Sequence, residues 1–180
     1  MLRICTLLLL SVVLPLAGHA ESFDLGDRGQ LEVAIPATWT AKGEKAGDQG
    51  FNILIKPNND ANAGVQLTVL FVQVDQKLSE EDMQKGFAAG LEPMLAGSVE
   101  KKADMEKLKL KDGSGFFASL TDASLVGKPS QPGNFKIMTS GMAKLSDGVI
   151  VALTLLSDDK TGTEFAEAMK MLESLTLTKK

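Results

Sequence analysis

Phe135-Lys136-Ile137-Met138-Thr139-Ser140-Gly141-Met142-Ala143-Lys144-Leu145, the turn Ser146-Asp147-Gly148, and then Val149-Ile150-Val151-Ala152-Leu153-Thr154-Leu155 form the stretch that decides the fold. Phe135, Ile137, Thr139, Gly141, Ala143 and Leu145 lie two apart, and so do Val149, Val151, Leu153 and Leu155. That is the period of a strand, and the turn between the two runs predicts a long antiparallel hairpin. Directly after it, Thr161-Gly162-Thr163-Glu164 has the spacing of a capping box, and Phe165, Met169 and Leu172 recur at i, i+4 and i+7. A helix with one apolar stripe is expected there, and the nearest surface for it to cover is the apolar face of the hairpin's sheet.

Upstream of the hairpin, residues 127–133 form the most turn-rich loop of the chain, and residues 115 to about 122 read as a strand paired through Asp112-Gly113 with another over 105–111. Before these, Ser79 caps a helix with Glu80, Glu81 and Asp82 in its first turn, where the helix dipole favours negative charge. Met83, Phe87, Leu91, Met94 and Leu95 form its apolar stripe, and Pro93 is expected to kink the helix or end its first segment. Earlier still, residues 22–25 and 30–35 read as two short strands joined by Gly26-Asp27-Arg28-Gly29. Pro36 ends the second, Trp39 follows, and 40–49 read as a polar loop. Phe51, Ile53 and Ile55 mark the next strand, and the turn over 57–64 leads to Val65, Leu67, Val69 and Phe71. There is no internal repeat and nothing that resembles a linker between two cores. Strands outnumber helices and follow one another through short turns, so the class is α+β, an antiparallel β-sheet sandwiched with helices rather than a doubly wound fold.

The first twenty residues read differently. Met1-Leu2-Arg3, an apolar run from Leu7 to Leu16, and Gly18 and Ala20 at the −3 and −1 positions predict a signal peptide over 1–20, cleaved after Ala20. The run is too short for a membrane anchor, and no cysteine stands where a lipoprotein needs one. The expectation is one domain over 21–180, periplasmic or secreted. Cleavage removes Cys5 and His19, the sole cysteine and histidine, and with them Cys-His and Ser-His-Asp catalysis and zinc or copper-imidazole sites. Arg3 leaves too, so 18 basic side chains face 23 acidic ones, a charge of −5 that disfavours nucleic acid and anionic lipid as main partners.

The two opening strands, the Ile35-Pro36-Ala37-Thr38-Trp39 element, the mid-chain helix, the long hairpin and the closing helix running into Ser174-Leu175-Thr176-Leu177 together resemble the PsbP-like fold. Where that family often has Gly before the Trp, this chain has Thr38. The fold is shared by the extrinsic oxygen-evolving subunit of photosystem II, a eukaryotic Ran-binding import factor and bacterial envelope proteins of the DcrB type. The resemblance implies a non-catalytic accessory or binding protein, with no catalytic residue to inherit and no cofactor.

Several groups invite a functional reading. Lys107, Lys109 and Lys111 alternate with Leu108 and Leu110, either as lysines guarding an edge strand or as a small basic patch able to dock an anionic partner. Trp39, a lone Trp after a Pro, reads as a core anchor first, and as an interface residue if half exposed. Phe116 and Phe117 point to opposite faces of their strand, so one needs cover from a helix, a loop or a partner. Ser98-Val99-Glu100-Lys101 has Ser-x-x-Lys spacing without its companion motifs and reads as the tail of a helix. Asn58, Asp60 and Asn62 mimic a calcium loop, but the glycine comes late and Val69 occupies the twelfth position, so a polar turn is the stronger reading. Met138, Met142, Met169 and Met171 have thioether spacing, with core packing the stronger reading.

Three functions follow from these features. The first is an exported, non-enzymatic binding or assembly protein acting on another envelope protein, through Lys107, Lys109, Lys111 and Trp39. The second is a carrier of a small apolar ligand in a gap between sheet and helix lined by Met83, Phe87, Leu91 and Met94. The third is a hydrolase using carboxylates alone, with Asp158-Asp159 and Glu80-Glu81-Asp82 as the candidate groups. It needs two acidic side chains about 5–10 Å apart in a cleft, one with a raised pKa.

Overall fold

The computed structural model describes residues 19–47, 50–73 and 78–179. In chain order the elements are β1 (His19–Asp24), β2 (Gln30–Ile35), β3 (Trp39–Lys45), β4 (Gly50–Pro57), β5 (Gly64–Phe71), α1 (Glu80–Leu95), β6 (Glu106–Lys107), β7 (Ser114–Thr121), β8 (Ile137–Ser146), β9 (Val149–Ser157), α2 (Thr163–Glu173) and β10 (Thr176–Thr178). The decisive hairpin is present as β8 and β9, with Thr139 opposite Leu155, Gly141 opposite Leu153 and Ala143 opposite Val151. It lies inside an antiparallel sheet of order β3-β4-β5-β9-β8-β7-β6, while β1, β2 and β10 make a second, smaller sheet.

Strand alternation decides what each face of the large sheet meets. One face carries Ile53, Ile55, Val65, Leu67, Val69, Val151, Leu153 and Leu155, and packs against Leu31, Val33 and Ile35 of the small sheet and against Ala168, Met171 and Leu172 of α2. These side chains are almost wholly buried, each stabilising the fold by about 1.5–3 kcal/mol through its removal from water. The opposite face is covered by α1 only over β7, β8 and β9, through Met83 with Phe116 and Ile150 and through Leu91 with Ala118 and Leu120. Over β3, β4 and β5 that face lies open, with Lys42, Glu44, Leu54, Gln66 and Leu70 exposed. The architecture is an antiparallel α+β sandwich, as the chain's alternation predicted.

Four local expectations change. Residues 40–45 are strand, not loop: the inward positions of β3 after Trp39 are Ala41 and Gly43, too small to register as an apolar alternation. Gly43 is small because a Cβ would stand 2.6 Å from Phe51 and 2.8 Å from Phe23, whose rings tilt together over it. The strand over 105–111 shrinks to Glu106–Lys107; Leu108 still donates its N–H to Gly115, but the Leu110 N–H then folds back to the Leu108 carbonyl. Helix α1 does not end at Pro93 but runs through it to Leu95, and the carbonyl that the proline leaves without its N–H partner belongs to exposed Ala89. Thr161 is not the cap of α2: Gly162 holds that position, and Asp159 accepts from both the N–H and the hydroxyl of Thr161.

Residues 1–18 of the expected signal segment lie outside the described residues. His19 and Ala20 open β1 opposite Ile35 and Ala34, so the expected cleavage falls within that edge strand.

Candidate functional site

Lys107, Lys109 and Lys111 all stand exposed at the edge of the large sheet, while Leu108 between them is buried and Leu110 partly so. Only Lys107 lies in a strand, opposite Phe116 on the α1 face. Glu106 beside it belongs to the other face, opposite Phe117. The ion pairs Lys85–Glu81, Lys102–Asp104, Lys144–Asp147 and Lys160–Glu100 leave all three lysines out.

Trp39 leaves the docking surface. It is 4% exposed, packed in the main core, and its Nε1 donates to Glu167 Oε2 on α2 at 2.7 Å. Thr38 donates its hydroxyl to the same oxygen at 3.4 Å, so the Thr-Trp pair ties the start of β3 to α2. Phe116 and Phe117 both find cover inside the chain. Phe116 sits under α1 in an edge contact with Phe87 at 5.4 Å, and Phe117 packs against the main core opposite Gly141.

The carrier lining does not assemble. Met83 and Phe87 pack directly onto Phe116 and Ile150, Leu91 packs onto Ala118 and Leu120, and Met94 is 49% exposed at the end of α1. The stripe is filled by sheet side chains rather than spaced from them. Met94 borders a surface groove of about 240 Å³ with Leu120, Phe135 and Met138.

A cleft of about 310 Å³ opens at one end of the sheet between the β4–β5 turn, the 130–132 loop and the start of α2. Asn62 organises it. Its Nδ2 donates to the Gln131 and Asn134 carbonyls and to Asp158 Oδ2, and its Oδ1 accepts from the Gly133 N–H. The supposed calcium loop is therefore a latch that pins the 127–133 loop, with Asn59 and Asn58 holding neighbouring backbone and Thr40. Asp158 is occupied by Asn62 and by the Lys136 N–H. Hydrogen bonds from Thr161 hold the Asp159 carboxyl below the usual range, the opposite of what a general acid needs. Glu81 pairs with Lys85 and Asp82 with Ser79, so the acidic first turn of α1 serves its own cap. No group of three or more His, Cys, Asp or Glu side chains suited to a metal occurs among the described residues.

Ser98 and Lys101 do not face each other as a nucleophile and base. The Ser98 hydroxyl donates to the Leu95 carbonyl and accepts the Lys101 N–H, while Lys101 Nζ turns back to the Ala96 carbonyl at 2.7 Å. Met138 and Met142 lie under α1, whereas Met169 and Met171 belong to the core on the other face, so the thioethers are kept apart.

Two tethers escaped the sequence reading. Glu100 reaches the N–H and hydroxyl of Thr121, both at 2.8 Å, and pairs with Lys160 at 3.4 Å. Partial burial pushes its carboxyl up, but the Thr121 bonds and Lys160 outweigh that and hold it below the usual range. Arg28 lies over the Phe71 ring at 5.8 Å and donates to the Val72 and Gly148 carbonyls, joining the β1–β2 turn to the hairpin tip beside an open groove of about 780 Å³. A lone Arg or Glu in a polar stretch carries no periodic signal, so nothing in the sequence marks either as a long-range tether.

No helix among the described residues is long and apolar enough to cross a membrane. No family model matches the chain, and no curated protein matches it significantly. Among solved structures, it is similar to the solution structure of the cyanobacterial PsbP (CyanoP) from Synechocystis sp. PCC 6803, with a TM-score of 0.55 and 11% identity over 98% of this chain and 99% of that one. The chain has a PsbP-like fold.

Proposed function

We propose that this chain is an exported, non-enzymatic accessory protein of the bacterial cell envelope, which docks on an acidic surface of another envelope protein through Lys107, Lys109 and Lys111. One observation carries the reading: three exposed lysines, outside the ion pairs found among the described residues, crowd five residues at an edge of a protein whose overall charge is negative. Surface charges kept unpaired in this way steer and orient a partner of opposite sign. The PsbP-like fold is compatible with an accessory role, and the leader-like residues 1–20 support export.

The test is capture of envelope proteins by the immobilised chain, wild type against the Lys107/Lys109/Lys111→Glu triple variant. These positions are exposed, so each change shifts stability by no more than about 0.5 kcal/mol. An acidic partner retained by the wild type and lost by the triple variant, with retention falling as salt rises, is the expected result. Equal capture by both proteins rejects the patch.

A further inference from the structure

Strand β3 is the other edge of the large sheet, and its backbone is set for one more partner. The Ala46 N–H donates to the Gly50 carbonyl at 3.0 Å and the Asn58 N–H to the Thr38 carbonyl at 2.8 Å. Hydrogen-bonded pairs alternate along an antiparallel ladder, so Thr40, Lys42 and Glu44 direct their backbone groups at β4, and Ala41, Gly43 and Lys45 direct theirs away from the sheet. Lys42, Gly43, Glu44 and Lys45 are all exposed. Among the described residues no strand pairs with the outer side of β3, and an open edge of this length is a template for strand addition.

We propose that the occupant is a second copy of this chain, paired antiparallel through β3 with the two-fold axis at Gly43. Register selects that axis. Centred on Lys42 or on Glu44, the pairing sets like charges directly opposite each other at the close, non-hydrogen-bonded position. Centred on Gly43, it sets Lys42 of each copy opposite Glu44 of the other at that position, and Ala41 opposite Lys45 in the hydrogen-bonded one. Of the outward-facing axes along β3, the one at Gly43 is the register that sets unlike charges directly opposite each other on both sides of the axis. About six backbone hydrogen bonds form across it. Gly43 leaves the axis free of a side chain, and the partly exposed Phe23 and Phe51 that roof it add apolar surface beside the symmetry axis. The contact is small, so the dimer is weak and exchanges freely.

Sedimentation equilibrium of the protein, purified in the form the cell accumulates, tests this up to about 1 mM. The expected result is a monomer–dimer equilibrium that Lys42→Glu and Glu44→Lys each weaken roughly tenfold or more, since each sets like charges opposite at two symmetric positions, and that the double reversal restores. Lys45→Pro, which removes an outward N–H and leaves the ladder to β4 intact, abolishes it. Circular dichroism confirms that each variant is folded. A chain that stays monomeric to that concentration overturns the proposal, including one that takes up an extended segment of a different protein along β3. So does a dimer indifferent to both single reversals and to Lys45→Pro.

Discussion

Gly141 shows how narrowly a single position is specified. It faces Phe117 across the β7–β8 ladder, and a Cβ there would run into the Phe116 carbonyl oxygen and stand 2.8 Å from the Phe117 Cβ. Two strands, not one flexible side chain, have to give way. Gly141→Ala is expected to destabilise the fold by about 1–3 kcal/mol, read as a lower denaturant midpoint at unchanged slope. Glu100 offers a pH signature at the same scale. Its carboxyl sits below its ordinary value of 4.5 in the folded chain, so the stabilisation it supplies is fully present above that value and is lost as pH falls through the lower, folded-state pKa. The stability gap between wild type and Glu100→Gln should hold at neutral pH and narrow as pH falls below the ordinary value of 4.5. A gap independent of pH would show that the Thr121 and Lys160 contacts do not depend on the charge.

Among the elements, the loop over 127–133 depends most on a single side chain. Asn62 reaches it from the β4–β5 turn, and Asn62→Ala removes its bonds to Gln131, Gly133 and Asn134 together. The expected cost is about 1–3 kcal/mol, with faster proteolysis inside the loop and unchanged hydrogen exchange in β8 and β9. Elements that bury a regular stripe were legible beforehand: β5, β9 and α2 alternate or recur with large apolar residues, β8 keeps the period of two with smaller ones, and the alternation of Val65, Leu67 and Val69 survives intact in the core. Elements shaped by close approach were not. Strand β3 hides its inner face behind Ala41 and Gly43, and the lysine-rich 105–111 stretch keeps alternating burial after its pairing stops at Lys107. Of the candidate sites, the exposure of the three lysines followed from alternation. The burial of Trp39 matches the core-anchor reading of a lone Trp after a Pro, but its bond to Glu167 was not legible, because that carboxylate lies far along the chain on α2.

Across the whole molecule, the two surfaces assigned here lie at opposite edges of one sheet, β3 at one end of the order and β6 at the other. A dimer joined through β3 would therefore carry a lysine patch at each outer end and would engage a clustered partner with higher avidity than a single copy. The surfaces are separable. Lys42→Glu should slow neither folding nor docking of an isolated copy, and the lysine triple variant should leave the monomer–dimer equilibrium unchanged in sedimentation. Both readings place this PsbP-like chain's activity in contact at exposed charge, since its buried polar groups are largely engaged in latches and caps. The most direct measurement is photo-crosslinking in living cells from a probe placed at Lys109, compared with the same probe at exposed Leu54. The account predicts an adduct with one acidic envelope protein from position 109 that disappears when Lys107 and Lys111 are changed to Glu. An equal yield from Leu54, or an adduct at 109 that survives both changes, would contradict it.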